Sequence, residues 1–181
     1  SGDQVDHEDE AYDISISCEC FEHNPKWGET FENMHRMTKK GGIVLMTCAS
    51  TGRPEHGTTR TSPHESPGTQ SVNWDYYQNL DEKDFFDRLK INEMFSEFFF
   101  INHQPTYDLY FLGLKGGDAN SYQISINQLK YICENDLAQI EEVLKRKKRI
   151  NKFIPKFLRR YINFGKNSHY QKNNSRLISN V

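Results

Sequence analysis

The sequence predicts an α/β protein built around an open sheet whose strands are mostly parallel. Residues 12–49 read as an alternating apolar strand, a polar crossing, a short amphipathic helix and a second, very apolar strand. That order is typical of a β-α-β unit, in which both strands lie parallel in one sheet. Two further strand-like runs, 98–102 and 107–114, are joined by His103-Gln104-Pro105-Thr106. So short a connection predicts an antiparallel hairpin that ends the sheet.

The first strand is expected over Tyr12–Cys18, because Ile14, Ile16 and Cys18 alternate there with serine. Cys20 follows two residues later, so we expect both thiols on one face of this strand. In open α/β sheets ligands bind where the strands end at their carboxyl side. The side chains that follow this strand are therefore the first place to look for a site.

A helix is expected to begin at Asn24-Pro25, because proline is well tolerated in the first helical turn. Its apolar face consists of residues spaced four and three apart, namely Trp27, Phe31 and Met34. Gly41-Gly42 is predicted to end this helix and to turn into a strand at Ile43–Met46. That strand is apolar throughout, as expected when both faces are buried.

The stretch 50–73 is rich in Ser, Thr, Pro, Gly and His and has no periodicity. Loops of this length in compact domains are usually functional lids or disordered. The aromatic run 74–80 would anchor its far end. One helix is predicted over Asp81–Phe95, with Asp81 as its N-cap, and another from Gln128 to about Ile154.

Composition excludes several classes of protein. The chain has 181 residues, a mean hydropathy of −0.83 and no apolar run long enough to cross a membrane. Its four cysteines are too few for a disulfide framework, so we expect reduced thiols and a cytoplasmic location. A zinc site from Cys18, Cys20, His23 and Cys48 lacks a second ligand pair, so no metal is expected.

Charge is distributed very unevenly along the chain. Residues 1–144 contain 11 basic and 25 acidic residues, whereas residues 145–181 contain 12 basic residues and no acidic one. A basic segment at 144–164 interleaves cationic and apolar side chains. Docking on the acidic part or a contact within a homo-oligomer is favoured, ahead of a peripheral contact with an anionic membrane. Nucleic acid is the least favoured partner, because no recognised nucleic-acid fold accompanies the segment.

Several short motifs occur in a fixed order: Gly2-Asp3, Tyr12–Ser17, Glu22-His23 and Arg36–Gly42. Together they resemble the C-terminal part of a class I S-adenosylmethionine-dependent methyltransferase domain of the type 11 kind. The resemblance covers roughly residues 1–116. It implies a partial Rossmann-like methyltransferase sheet with an antiparallel terminal hairpin. We therefore divide the chain into this domain at 1–117, a helical basic extension at 118–164 and a disordered tail at 165–181.

The resemblance implies S-adenosylmethionine as the cofactor and assigns its contacts. Asp3 and Gln4 would bind the adenine ring. Ser17, Cys18 and Glu19 would lie beside the methionine part, at the end of the first strand.

The acceptor of the methyl group is expected to bind at the loop after the second strand. Arg53 can form a bidentate contact with an anion, and Glu55 and His56 are adjacent acid-base groups. His56 or His23 would remove the acceptor's proton. Three more residues could line the same site by stacking and hydrogen bonding, namely Tyr76, Tyr77 and Asn79. These features predict methyl transfer to oxygen or nitrogen of a polar small molecule, such as a sugar or polysaccharide precursor.

Two parts of the family pattern have no counterpart in these residues: the glycine-rich loop that cradles the cofactor and the acidic residue that binds its ribose. We therefore expect this chain to be part of a longer protein and to be inactive alone. The alternative is a non-catalytic interaction protein whose basic segment binds a membrane or nucleic acid. A nucleic-acid methyltransferase is disfavoured, because Ser17-Cys18-Glu19-Cys20 lacks the Pro-Pro-aromatic motif expected after that strand.

Overall fold

The computed structural model of the protein describes residues 2–116 and 126–152, with side chains described for 2–116 and 126–146. The chain divides into two compact units, Ser1–Leu137 and Ala138–Val181. The predicted boundary at 117/118 falls in a stretch outside the described residues and stays a prediction. So do the predicted stop of the last helix near Pro155 and the tail at 165–181.

The described residues form four strands, five α-helices and three short 3-10 helices. The strands are β1 (Tyr12–Cys18), β2 (Thr38–Ala49), β3 (Phe95–His103) and β4 (Asp108–Lys115). The α-helices are α1 (Trp27–Met37), α2 (Pro67–Ser71), α3 (Glu82–Arg88), α4 (Ile91–Met94) and α5 (Ile126–Lys152). The 3-10 helices are Gly2–Gln4, Phe21–His23 and Pro63–Glu65.

The four strands form one sheet in the order β1-β2-β4-β3. β1 is parallel to β2, whereas β4 is antiparallel to both β2 and β3. The predicted α/β class, the β-α-β unit and the terminal hairpin are therefore confirmed. β1 is an edge strand among the described residues, and Ile14 and Ile16 on it are 50% and 62% exposed.

The prediction that Gly41-Gly42 ends helix α1 was wrong. The helix ends at Met37, and both glycines lie inside β2. They occupy an irregularity, because Tyr12 pairs with Thr38 but Ile14 pairs with Ile43. A side chain at Gly42 would come within 2.7 Å of the Asp13 carbonyl oxygen, and Gly41 has a φ of 76°. Both positions therefore need glycine to let the extra residues bulge out of the ladder.

The larger apolar core lies between the sheet and helices α1 and α3. The predicted apolar face of α1 is confirmed: Trp27, Phe31 and Met34 are all buried. The Phe31 ring contacts four other phenylalanines edge-on, at centroid distances of 5.1–6.1 Å. Val44 and Met46 of β2 complete this face of the sheet. Helix α1 thereby fixes the position of the loop that precedes it.

The single helix predicted over 81–95 is two helices followed by the start of β3. Asp81 is the N-cap as predicted, and its backbone amide donates to the Asp84 carboxylate at 2.7 Å. Leu89 then adopts an extended conformation, which ends α3. This break lets Leu89 and Ile91 both enter the core, where they are 6% and 1% exposed. Burial of these two side chains in the core has therefore outweighed the helical spacing of apolar residues over 81–95.

The other face of the sheet packs against the start of helix α5. Ile126 and Leu129 of α5 join Phe99, Leu112 and Leu114 in a second apolar cluster. The helix begins two residues earlier than predicted and runs into the second unit. None of the described helices is both long and apolar enough to cross a membrane.

Candidate functional site

A cleft of about 510 Å³ opens at the carboxyl ends of the parallel strands β1 and β2. It combines residues from three distant parts of the chain. The 3-10 helix at the N-terminus contributes Gln4, and the turn after β1 contributes Glu19, Cys20 and His23. The long loop after β2 contributes the opposite wall, namely Ser66, Gly68, Thr69, Val72 and Trp74. This is the place at which open α/β sheets bind ligands.

Glu19 marks the point where β1 leaves the sheet. It has a φ of 48°, and its backbone amide donates to the Thr47 carbonyl oxygen at 2.9 Å. Its carboxylate accepts a hydrogen bond from Thr47 Oγ1 at 3.0 Å. This sharp turn directs the following residues under the sheet edge rather than along it. Cys18 and Cys20 therefore do not share a strand face as predicted, because β1 ends between them.

Glu22 is fully buried in the 3-10 helix Phe21–His23, and its neighbour Phe21 anchors that turn in the core. The Gln78 amide donates to the Glu22 carbonyl oxygen at 2.8 Å. Among the described residues, no side chain pairs with either carboxylate oxygen of Glu22. Burial raises the pKa of this carboxyl group to about 7, and the nearby amides of Glu22 and Ala49 offset part of the rise.

His23 and His56 meet above Glu22, although 33 residues separate them in the sequence. Their ring centroids lie 4.9 Å apart in an edge-on arrangement. The Tyr77 ring contacts both, at 5.3 Å from His23 and 5.0 Å from His56. Burial, and then the proximity of His56, lowers the pKa of His23, so this imidazole is neutral at neutral pH. The two alternative proton acceptors predicted from the sequence therefore form one cluster.

The loop residues predicted to bind the acceptor are largely engaged within the protein. The Arg53 guanidinium pairs with the Asp108 carboxylate and donates to the Thr106 carbonyl oxygen at 3.0 Å. Its second nitrogen lies 3.9 Å from the Glu19 carboxylate. Glu55 accepts hydrogen bonds from Thr58 at 2.6 Å and Arg60 at 2.8 Å. These contacts order the loop, and the assignment of Arg53 and Glu55 to substrate stays a prediction.

Tyr76, Tyr77 and Asn79 connect this loop to the site. Tyr76 donates to the Gln78 side chain, and Tyr77 donates to the Pro54 carbonyl oxygen at 3.3 Å. Asn79 donates to the Arg53 carbonyl oxygen at 2.9 Å, while its own side-chain oxygen is buried without a partner. The Tyr77 ring contacts both imidazoles, and the Tyr76 backbone forms a hydrogen bond with the His23 ring. Burial raises the pKa of Tyr77 above the ordinary value, which keeps the phenol neutral.

The residues predicted to bind the cofactor are divided by the structure. Gln4 and Glu19 line the cleft. Asp3 forms an ion pair with Lys26 at 2.9 Å and is not part of the cleft wall, although its neighbour Gln4 is. Ser17 and Cys18 lie in β1, paired with Met46 and Thr47 of β2. Their cofactor contacts stay predictions.

One cluster among the described residues has the composition of a metal site. Glu22, His23 and His56 each offer a ligand atom, and these atoms lie within 4.8 Å of one another. Sequence reasoning noted Glu22 beside His23 but assigned it no role. A signal was present: Glu22-His23 follows β1 and His56 follows β2, and adjacent parallel strands end at the same edge of a sheet. Nothing in the sequence indicated that the carboxylate would be buried.

Comparison with known proteins gives a partial match by sequence. Residues 1–46 match the model of a family described as a methyltransferase domain. No curated protein matches the chain.

Solved structures match a longer part of the chain, at low sequence identity. Phosphoethanolamine N-methyltransferase 2 of Haemonchus contortus, in complex with phosphomonomethylethanolamine and S-adenosylhomocysteine, is 14% identical with a TM-score of 0.46. The match covers 65% of this chain and 36% of that one. An S-adenosylmethionine-dependent methyltransferase of Thermotoga maritima is 14% identical with a TM-score of 0.42, covering 64% of this chain and 61% of that one. This chain therefore spans less than two thirds of either structure.

Proposed function

We infer that this chain contributes to methyl transfer onto an oxygen or nitrogen atom of a polar small molecule. In this proposal it supplies the C-terminal part of a class I S-adenosylmethionine-dependent methyltransferase domain. The observation that supports this most is the cleft at the ends of β1 and β2. There, Gln4, Glu19 and His23 come together from separate segments. His56, which is in edge-on contact with His23, adds a second imidazole beside it. Hydrogen-bonding groups and the His23 imidazole thus face one space, with the His56 imidazole in contact with His23.

The cleft fits one side of an S-adenosylmethionine molecule. Its polar lining at Gln4 and Glu19 suits the hydrogen-bonding groups of a nucleoside and an amino acid, while Val72 and Trp74 add apolar wall. The cofactor, when bound, supplies an electrophilic methyl group on a positively charged sulfur. Asp3 and Gln4 would bind the adenine end, and the turn at Ser17–Glu19 would lie beside the amino-acid end. The remaining contacts would come from residues outside this chain.

The imidazoles supply the acid-base chemistry of this proposal. As the acceptor's oxygen or nitrogen bonds to the methyl carbon, the carbon–sulfur bond breaks and the acceptor loses its proton. His56 Nε2 would take that proton, because His56 Nδ1 lies 3.2 Å from the Pro54 carbonyl oxygen and would donate to it. Tyr77 lies against both histidines and orients them. A hydroxyl-rich acceptor such as a sugar suits the Ser66 and Thr69 side of the cleft.

Calorimetry with S-adenosylhomocysteine tests the cofactor part of the proposal. The 181-residue chain and the longest natural product that contains it would be titrated side by side. We expect binding by the longer protein, at least tenfold weaker in Asp3→Ala, since an amine donor would lose its charged acceptor. Lys26→Ala is the matched control, because it breaks the same ion pair but leaves the carboxylate in place.

Equal losses in Asp3→Ala and Lys26→Ala would mean that the ion pair, rather than a ligand contact, matters. Absence of binding by a folded longer protein would rule out the methyltransferase proposal. The non-catalytic alternative, in which the basic segment contacts an anionic partner, would then be favoured.

A further inference from the structure

We propose that Glu22, His23 and His56 form a binding site for one divalent transition-metal ion, for which Zn²⁺ is the probe. The three side chains come from the turns after β1 and β2, and their ligand atoms lie within 4.8 Å of one another. Two histidines and one carboxylate are the ligand set of many catalytic zinc sites, which keep a further position open for water or substrate. This inference does not depend on methyl transfer, because metal binding is measured directly.

The Glu22 carboxylate is the first reason for the proposal. The residue is fully buried, and within the described part of the chain no side chain pairs with either of its oxygens, while the backbone amides of Glu22 and Ala49 offset its burial only in part. A buried carboxylate without partners is costly, so such groups in proteins are normally paired or coordinate a metal. The nearest candidate for an ion pair, Arg53, already binds Asp108 and Thr106.

The orientation of the two imidazoles is the second reason. His23 Nδ1 is buried without a partner, while a hydrogen bond with the Tyr76 backbone involves the same ring. His56 Nδ1 lies 3.2 Å from the Pro54 carbonyl oxygen, which leaves Nε2 as the available nitrogen. Metal-binding histidines usually donate their other nitrogen to a carbonyl or carboxylate in this way, which fixes the tautomer. Each ring therefore keeps one nitrogen that could bind an ion, namely Nδ1 of His23 and Nε2 of His56.

The spacing is close to that of a loaded site. Ligand atoms at about 2.1 Å from an ion lie roughly 3 to 4 Å from each other. The present spread of up to 4.8 Å is wider than that range, so the three side chains would move closer together on binding an ion. The open position would face the cleft, because His23 is part of the cleft wall.

Cys18 and Cys48 do not supply an equivalent site. Cys18 is exposed on β1, whereas Cys48 is buried in the apolar core, so the two thiols are not positioned to bind one ion. Our sequence-based expectation of no metal concerned Cys18, Cys20, His23 and Cys48, and the proposed ligand set shares only His23 with it. A bound ion would also occupy the imidazole lone pairs. With an ion bound, His56 could not accept the acceptor's proton; the ion would instead lower the pKa of a coordinated hydroxyl group, whose proton would pass to water in the cleft.

The test is a Zn²⁺ titration of the full chain, after treatment with a chelator, in competition with a chromophoric chelator. We expect one ion per chain. Glu22→Gln and His56→Ala should each weaken binding at least tenfold, since even loss of a supporting residue has an effect of that size. His64→Ala is the matched control, because it removes an exposed histidine from the same loop. Circular dichroism would check that each variant is folded.

Substitution of Co²⁺ gives a second readout that does not depend on any variant's stability. We expect the absorption spectrum of a site with nitrogen and oxygen ligands, without a thiolate charge-transfer band. Absence of stoichiometric binding by the folded wild-type chain would overturn the proposal. Binding that survives in His56→Ala but disappears in Cys20→Ser would overturn it too, because a thiolate would then be the ligand.

Discussion

At the residue scale, the cluster depends on how closely the loop after β2 approaches His23. Gly57 makes that approach: it has a φ of 68°, and the Gln70 side chain donates to its carbonyl oxygen at 2.9 Å. A β-carbon at this position would lie 2.7 Å from His23 Cε1 and 2.6 Å from the Ser66 side chain. Glycine is therefore needed both for backbone conformation and for space.

Gly57→Ala is expected to lower the free energy of unfolding by about 1–3 kcal/mol, because a left-handed backbone and a close contact are both strained. It should also weaken Zn²⁺ binding by displacing His23. Chemical denaturation would measure the first effect. Gly68→Ala is the control: nothing lies within 4 Å of its added carbon, so it should be neutral or slightly stabilising. Equal stability of the two variants would contradict the prediction.

At the element scale, helix α1 joins the start of β3 through one histidine. His35 shares a hydrogen bond of 2.7 Å with the Met94 carbonyl oxygen, and its ring packs edge-on against Phe95 at 5.1 Å. The Lys115 ammonium group, from β4, donates to the His35 carbonyl oxygen at 3.0 Å. Burial lowers the pKa of His35, and the charge of Lys115 adds to this effect.

A histidine whose pKa is lowered by folding stabilises the native state above its unfolded pKa. That contribution is lost as the pH falls through about 6.5 and below, because the unfolded chain then binds the proton more readily. We expect wild type to lose more stability than His35→Gln between neutral pH and about pH 5. Denaturant titrations at each pH would measure this difference.

Other groups titrate in the same window, so the comparison must be a difference between variants. His23 has the same sign as His35, whereas the raised pKa of Glu22 makes its contribution favour acidic pH. Both are common to the two proteins and cancel. Exposed His64→Gln provides the control for loss of any histidine. A constant difference between wild type and His35→Gln across the pH range would refute the assignment.

At the scale of the whole molecule, charge is the dominant feature. The 25 acidic residues all precede Lys145, and 12 of the 23 basic residues follow Leu144. Opposite charges concentrated in separate parts of one chain attract each other between copies as well as within one copy. Such attraction acts over about 10 Å at 0.1 M salt and is strongly screened at high salt.

We therefore expect salt-dependent self-association of the full chain. The sedimentation coefficient should rise with protein concentration at about 0.05 M salt and lose that dependence at about 0.5 M, because the screening length falls. The double variant Lys145→Gln, Arg146→Gln should associate less. The matched control is the double variant Lys83→Gln, Lys90→Gln, which neutralises two lysines of the acidic part. Its self-association should not be weaker than that of wild type. Sedimentation that is independent of salt would exclude this electrostatic contact.

Much of the architecture was determined by the sequence alone, because it follows from local periodicity. The alternation of apolar and polar residues predicted β1. Apolar residues spaced three and four apart predicted the buried face of α1, and two short apolar runs predicted the β3–β4 hairpin. The order of strands and turns also placed Glu19, His23 and His56 near one edge of the sheet. Parallel strands necessarily end together, so this part needed no knowledge of side-chain contacts.

Tertiary structure alone decided which of those side chains are available for chemistry. Arg53 forms an ion pair with Asp108, which lies 55 residues away in the sequence. Glu55 accepts hydrogen bonds from Arg60 and Thr58. In the sequence Glu22 resembles an ordinary exposed polar residue, but it is fully buried, and no side chain in the described part of the structure pairs with its carboxylate. Local patterns report propensity and amphipathicity. Burial, desolvation and long-range pairing depend on elements that meet only in the folded chain, which is why the carboxylate at the centre of the proposed metal site could not be recognised from its sequence.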